Sequence, residues 1–232
     1  MDYTWDFSFL RQFGELWARG VYVTLLLSVA AIGAGTALGL FLVFGLSRQG
    51  TIAGALLRIP CRLYTDVFRS IPALVLMGTI YLCAPILIGV TPSPFQTAWI
   101  ALALNLAPFA AEVVRAGIDS VPTVQYESAR LIGFRGWRLA YYIIGPQAFR
   151  RILPPLVGQY VTTLKLSSLA ATIGVVEIWN VTGQVVTATS RPVESRLVGA
   201  ALYCLILLPS LWFVTRLEKR YEVVGLGEFA ER

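Results

Sequence analysis

Few residues in this sequence are equipped for chemistry. There is no histidine, which removes His-based triads, His-ligated zinc and His proton relays together. The three cysteines, Cys61, Cys83 and Cys204, form no CxxC pair and read as small apolar fillers, not as a disulfide or metal framework. Neither lysine, Lys165 or Lys219, lies in a GxxxxGK[ST] phosphate loop. No catalytic constellation and no metal-ligand set is read. What remains is a handful of polar groups in apolar surroundings. An ionisable group inside an apolar span is costly and marks a functional candidate. Lys165, followed by Ser167 and Ser168, has two readings. It contacts a substrate carboxylate, or it pairs with a carboxylate on a neighbouring helix, Glu112 being one candidate. Asn105 lines a path or bonds another helix. Glu177 is expected to be solvated at the outer end of its span. Arg69 is expected to snorkel to the interface.

The elements that carry these groups follow from composition. The chain has 232 residues, 56% hydrophobic and 14% charged, with a mean hydropathy of +0.69. A soluble domain carries about a quarter charged residues, so soluble and disordered classes are excluded and an integral membrane protein is indicated. Residues 20–47, 70–111 and 197–215 carry no charge, and 152–176 carry only Lys165. A spanning helix needs about 20 apolar residues. The run 70–111 is broken by Thr91-Pro92-Ser93-Pro94, so it reads as two helices joined by a turn. Five spans are expected, near 20–46, 67–88, 95–114, 152–177 and 197–216. The first lacks a signal-peptide cleavage pattern and reads as retained. The net charge of +6 then reports topology and not nucleic acid. With the N-terminus outside, the inner side holds 14 of 19 basic residues and the outer side 4, so the positive-inside rule places the N-terminus out and the C-terminus in. No repeat or linker divides the chain, and residues 1–232 read as one all-α membrane domain.

The longest inner loop, about 115–151, holds six arginines and two acids, Asp119 and Glu127. Ser120 with Pro122 suits a helix start, and Gly133 suits its stop. Trp137, Ala140, Tyr141 and Ile144 fall on one apolar stripe of a second helix, which Pro146 should interrupt. The expectation is two short surface helices around an exposed glycine corner.

This loop resembles that of ABC importer permeases: Glu-Ala-Ala, three residues, Gly, nine residues, Ile, one residue, Leu-Pro. The sequence has Glu127-Ser128-Ala129, Gly133, Ile143 and Gly145-Pro146 at matching spacing, with Ser128 and Gly145 as small replacements. Phe68-Arg69-Ser70-Ile71-Pro72, Leu164-Lys165-Leu166-Ser167-Ser168-Leu169 and the ending Leu217-Glu218-Lys219-Arg220-Tyr221 resemble the polar-amino-acid branch, which handles histidine, glutamine, arginine and opines. Leu76 and Pro108-Phe109 depart from that branch. The resemblance implies a type I importer permease fold with a coupling-helix loop. It implies that Glu127, Ser128, Ala129, Gly133, Ile143 and Pro146 engage a cytoplasmic ATPase. It also implies a second permease copy and an extracytoplasmic binding protein as partners, a bacterial inner-membrane location, and no nucleic acid. No cofactor is expected on this chain; ATP and magnesium belong to the ATPase. The other classes weighed are a membrane-embedded enzyme, disfavoured by the missing histidines, and a stand-alone ion-coupled carrier, which would show inverted repeats and several intramembrane acids.

Overall fold

The computed structural model describes residues 4–47 and 52–221, and the side chains of all of these except 52–55. Arg48 and Arg232 of the charge count lie outside the described residues. The described elements are helical: α1 (Phe9–Leu46), α2 (Ile52–Ser70), α3 (Ala73–Ile88), α4 (Pro94–Asp119), α5 (Thr123–Leu131), α6 (Gly136–Leu139), α7 (Gly145–Leu166), α8 (Ile178–Thr189) and α9 (Pro192–Tyr221). A π turn over Ala140–Ile144 joins α6 to α7, and a 3-10 segment over Ser167–Ile173 follows α7.

Packing centres on α1 against α4. Gly20, Thr24, Ser28, Ala31, Gly35 and Gly39 are all buried on α1, three or four residues apart, so they form one narrow small-residue ridge. A Cβ at Gly39 would lie 2.8 Å from the Ala107 carbonyl oxygen, and one at Gly35 2.9 Å from that of Ala103. Both positions therefore require glycine for the two backbones to meet. Alanines fill the facing side of α4: Ala98, Ala101, Ala103, Ala107, Ala110 and Ala111 are all buried.

The third and fifth expected spans lie inside α4 and α9. The others differ from expectation. Helix α1 is 38 residues long and starts at Phe9 instead of residue 20, because Phe9 and Trp17 are buried against Ile178, Val181 and Val185 of α8. The expected span 67–88 is not one rod: α2 and α3 meet at 105°. Pro72 causes the break, since it bars Ile71 from the helical region. The expected span 152–177 ends in the 3-10 segment and turns through Gly174, at φ 90°, into α8, which lies between the fourth and fifth expected spans. Helices α1, α4 and α9 are long and apolar enough to cross a bilayer alone; counting each bent pair as one crossing gives up to five.

Candidate functional site

Two regions carry the candidate residues. The first is a surface hairpin built from α5, α6 and the π turn. Ser120 does not start it: Ser120 caps the end of α4, and Pro122, at ψ 140°, is the residue that precedes α5. Helix α5 ends as expected at Gly133, which adopts φ 91°. Its N–H donates to the Arg130 carbonyl at 3.1 Å, and the Phe134 N–H donates to the Ala129 carbonyl at 2.9 Å. This is the Schellman closure, which needs a left-handed residue at that place. Nothing lies within 4 Å of a Cβ built on Gly133, so the corner is open. Glu127 and Ser128 are exposed beside it.

Ala129 departs from its expected role. It is buried inside the hairpin with Val121, Leu139, Ile144 and Ala148, and Ile143 packs on the same cluster. Its small size serves packing within the chain and not approach from outside. The stripe of Trp137, Ala140, Tyr141 and Ile144 is also corrected. Trp137 and Tyr141 are 67% and 68% exposed, and only Ile144 is buried. The π turn shifts the helical phase, so Leu139 and Ile144 face inward in its place. Pro146 is exposed and does not end the helix. It falls where the chain passes from the π turn into α7, and its missing N–H is absorbed by the looser turn before it.

The second region is a cleft between the α2–α3 corner, α4 and α7, largely apolar with a few polar groups, and with a cavity of about 350 Å³. Asn105 lines it, together with Arg69, Gln159, Thr162 and Thr163. Proline shapes its mounting. Pro108 has no N–H for the Leu104 carbonyl four residues back, and the Tyr64 hydroxyl donates to that oxygen at 3.0 Å. A second tie is ionic: Arg69 meets Glu112 at 2.7 Å, with its guanidinium 5.5 Å from the centre of the Phe109 ring.

These contacts revise three expectations. Arg69 does not merely snorkel; it is the partner of Glu112. Glu112 does not pair with Lys165. Lys165 is exposed, and no ion pair to it is found among the described residues. Ser167 is fully buried and donates to the Leu164 carbonyl at 2.7 Å, while Ser168 donates to that of Lys165 at 2.9 Å. Lys165, Ser167 and Ser168 are therefore not brought into the cleft beside Asn105. Gln159, Thr162 and Thr163 were passed over in the sequence. Their signal is polar residues at i, i+3 and i+4 in an apolar helix, which share one face.

Glu177 also departs from expectation. It is fully buried, not solvated. Its carboxylate caps α8 by accepting from the Asn180 N–H at 2.8 Å and also accepts from the Tyr203 hydroxyl of α9. A neighbouring clamp holds the chain's start. The Arg191 guanidinium reaches Glu194 at 3.5 Å, Asp6 at 3.6 Å and the Thr4 carbonyl at 2.8 Å. Glu194 is fully buried and also accepts from the Asp6 N–H at 3.3 Å. Hydrogen bonds from Ser8 hold the Asp6 carboxyl below its ordinary value, with Arg191 lowering it further.

An all-helical bundle with an exposed helix–glycine corner on one side and a cleft with a few polar groups within is the frame of a membrane permease component. The profile of the family described as binding-protein-dependent transport system inner membrane component matches residues 35–223. The chain is 39% identical over 160 residues to the probable amino-acid ABC transporter permease protein YckA of Bacillus subtilis (strain 168), covering 69% of each chain. It is 28% identical over 220 residues to the glutamine transport system permease protein GlnP of Escherichia coli (strain K12), covering 94% of this chain and 99% of that one. A crystal structure of an amino acid ABC transporter with histidines matches at a TM-score of 0.84 and 29% identity, covering 94% of this chain and 100% of that one. The chain belongs to the family of binding-protein-dependent transport system inner membrane components.

Proposed function

We propose that this chain is the transmembrane permease subunit of an ATP-driven importer that moves a polar amino acid, or a related small zwitterion, delivered by an extracytoplasmic binding protein. The observation that carries the proposal is the hairpin. Glu127 stands exposed six residues before a left-handed Gly133 with open space around it. That shape lets a partner's groove approach the backbone closely while a carboxylate anchors it at the rim. A cytoplasmic ATPase docked there, holding ATP and magnesium, would pull on α4 through the hairpin base, where Arg151 donates to the Ser120 carbonyl. Glu127, Ser128, Gly133 and Pro146 form the docking face. Ala129 and Ile143 hold it from beneath.

The cleft supplies the path. Asn105, Gln159 and Thr162 place a few hydrogen-bonding groups, with the Arg69 charge, in an otherwise largely apolar wall, the pattern that orients a small polar solute. The relatives named as amino-acid and glutamine permeases support that substrate class. A second permease copy, identical or related, completes the pore, since five crossings are few to enclose one. The N-terminus lies outside and the C-terminus in the cytoplasm, on the distribution of basic residues.

The test is co-purification and reconstitution. Tagged chain expressed with its neighbouring gene products should elute with an ATPase subunit. Vesicles carrying the complex and the binding protein should accumulate labelled glutamine, arginine, glutamate or histidine only with ATP. Uptake by the isolated chain without ATP would instead mark a stand-alone carrier.

A further inference from the structure

We infer that the Arg69–Glu112 ion pair is a movable gate between the Asn105 cleft and a second, inner cavity. This rests on the permease reading above. The inner cavity, about 320 Å³, lies between α2 and α4 and is lined by Arg58, Arg62, Asp66, Glu112 and Arg115 with Arg69. The cleft is lined from the other side by Asn105, Phe109, Gln159 and again Arg69. Arg69 is the one residue common to both described linings. Arg69 therefore belongs to the wall between them.

Three features make that wall movable. Arg69 and Glu112 are 41% and 48% exposed, so water reaches the pair from the cavities and the attraction is screened. Arg69 is the second-last residue of α2, directly before the 105° corner at Ser70–Pro72, so a small rotation at the corner swings its head. Asn105, Phe109 and Glu112 fall at i, i+4 and i+7 on α4 and share one face, so the acceptor, the ring under the guanidinium and the polar group of the cleft move with one helix. Alternative partners stand ready on the inner side. Asp66 is held by Arg62 at only 3.8 Å, and that pair is 69% and 68% exposed. Arg115 stands one turn from Asp119 at 3.9 Å, likewise exposed. A guanidinium leaving Glu112 thus meets a carboxylate and Glu112 meets Arg115, while Arg62 and Asp119, which give up their partners, are 69% and 71% exposed and are left to water.

The experiment is thiol labelling in the assembled complex. Cys61, Cys83 and Cys204 are replaced by alanine, and Asn105→Cys places one thiol in the cleft. A cationic and an anionic membrane-impermeant methanethiosulfonate reagent are applied separately to the inner face of membrane vesicles. A Thr123→Cys chain fixes which face is inner, and ATP-driven uptake by the unaltered complex tests the permease reading separately. The double variant Arg69→Gln with Glu112→Gln removes both charges and leaves none unpaired. Both reagents should then label Asn105→Cys about fivefold faster, the most that a half-exposed pair supports. The exchange Arg69→Glu with Glu112→Arg should return both rates to near the starting value. Equal rates in all three chains would overturn the gate. So would a rise with one reagent and a fall with the other, which marks a change of local charge and not of opening. An exchanged pair that labels as fast as the neutral one would also overturn it.

Discussion

Two of the arginine–carboxylate contacts, Arg69–Glu112 and Arg191–Glu194, sit in different settings. Between α2 and α4, Arg69 and Glu112 meet at 2.7 Å with both side chains nearly half exposed. At the start of α9, Arg191 holds Glu194 at 3.5 Å, and Glu194 is fully buried. The shorter contact is the weaker constraint. Water and neighbouring charges can replace either partner of the Arg69–Glu112 pair at small cost. A buried carboxylate is harder to satisfy otherwise, so the Arg191–Glu194 contact is part of the fold. The lesson is that burial, not distance, separates a contact that can exchange during a transport cycle from one that anchors the frame.

The largest effect expected is at the Arg191 clamp. Arg191→Met removes the contacts to Glu194, Asp6 and Thr4 together. Arg191 is itself 34% exposed and Glu194 keeps the Asp6 N–H, so the loss is about 2 kcal/mol. The thermal unfolding midpoint of the detergent-solubilised chain should fall by several degrees. Glu112→Gln, the matching loss at the Arg69–Glu112 pair, should cost about 1 kcal/mol or less and barely move that midpoint. Equal shifts in the two variants would erase the distinction.

Lys165→Met should be smaller still. The exposed ammonium has no ion pair among the described residues, so stability should stay within about 0.5 kcal/mol, and assembly should be normal. Impaired transport at normal assembly would place Lys165 on the substrate path or against the second permease copy. Failed assembly would show a structural partner. The smallest effect concerns pH. The Asp6 carboxyl is held below its ordinary value of 3.8 by Ser8 and Arg191. A depressed carboxylate contributes its stability above the ordinary value and loses it only as pH falls through the lower folded value. Hydrogen exchange over residues 4–8 should therefore be unchanged in protection from about pH 8 to pH 5. Loss of protection inside that window would mean that another group holds the segment.

Local signals gave the sequence reading its successes. The stop at Gly133, the turn at Thr91–Pro94 and the charge-free runs each depend on residues close together in the chain. Ser93 and Gln96, for instance, form the capping box that starts α4. The misses are non-local. Glu177 is buried because Tyr203, 26 residues on, donates to it, and nothing near Glu177 announces that partner. Glu112 and Arg69 lie 43 residues apart. The α2–α3 corner was legible in principle, because Ile71-Pro72 disfavours a continuous helix, but the unbroken apolar run hid it. With the π turn before Pro146, Trp137 and Tyr141 face out and Leu139 faces in, a change of phase that a 3.6-residue period cannot show.

The central claim, that the Glu127–Gly133 corner docks a cytoplasmic ATPase, is tested most directly by Gly133→Asp. The left-handed backbone strains any side chain there by about 1–2 kcal/mol, and the added carboxylate blocks close approach at a corner where nothing now lies within 4 Å. The measurement is ATP-driven uptake of labelled amino acid in reconstituted vesicles, normalised to the amount of chain in the membrane. The account predicts that uptake is abolished while the chain remains inserted at the normal level. Uptake near that of the unaltered complex would contradict it.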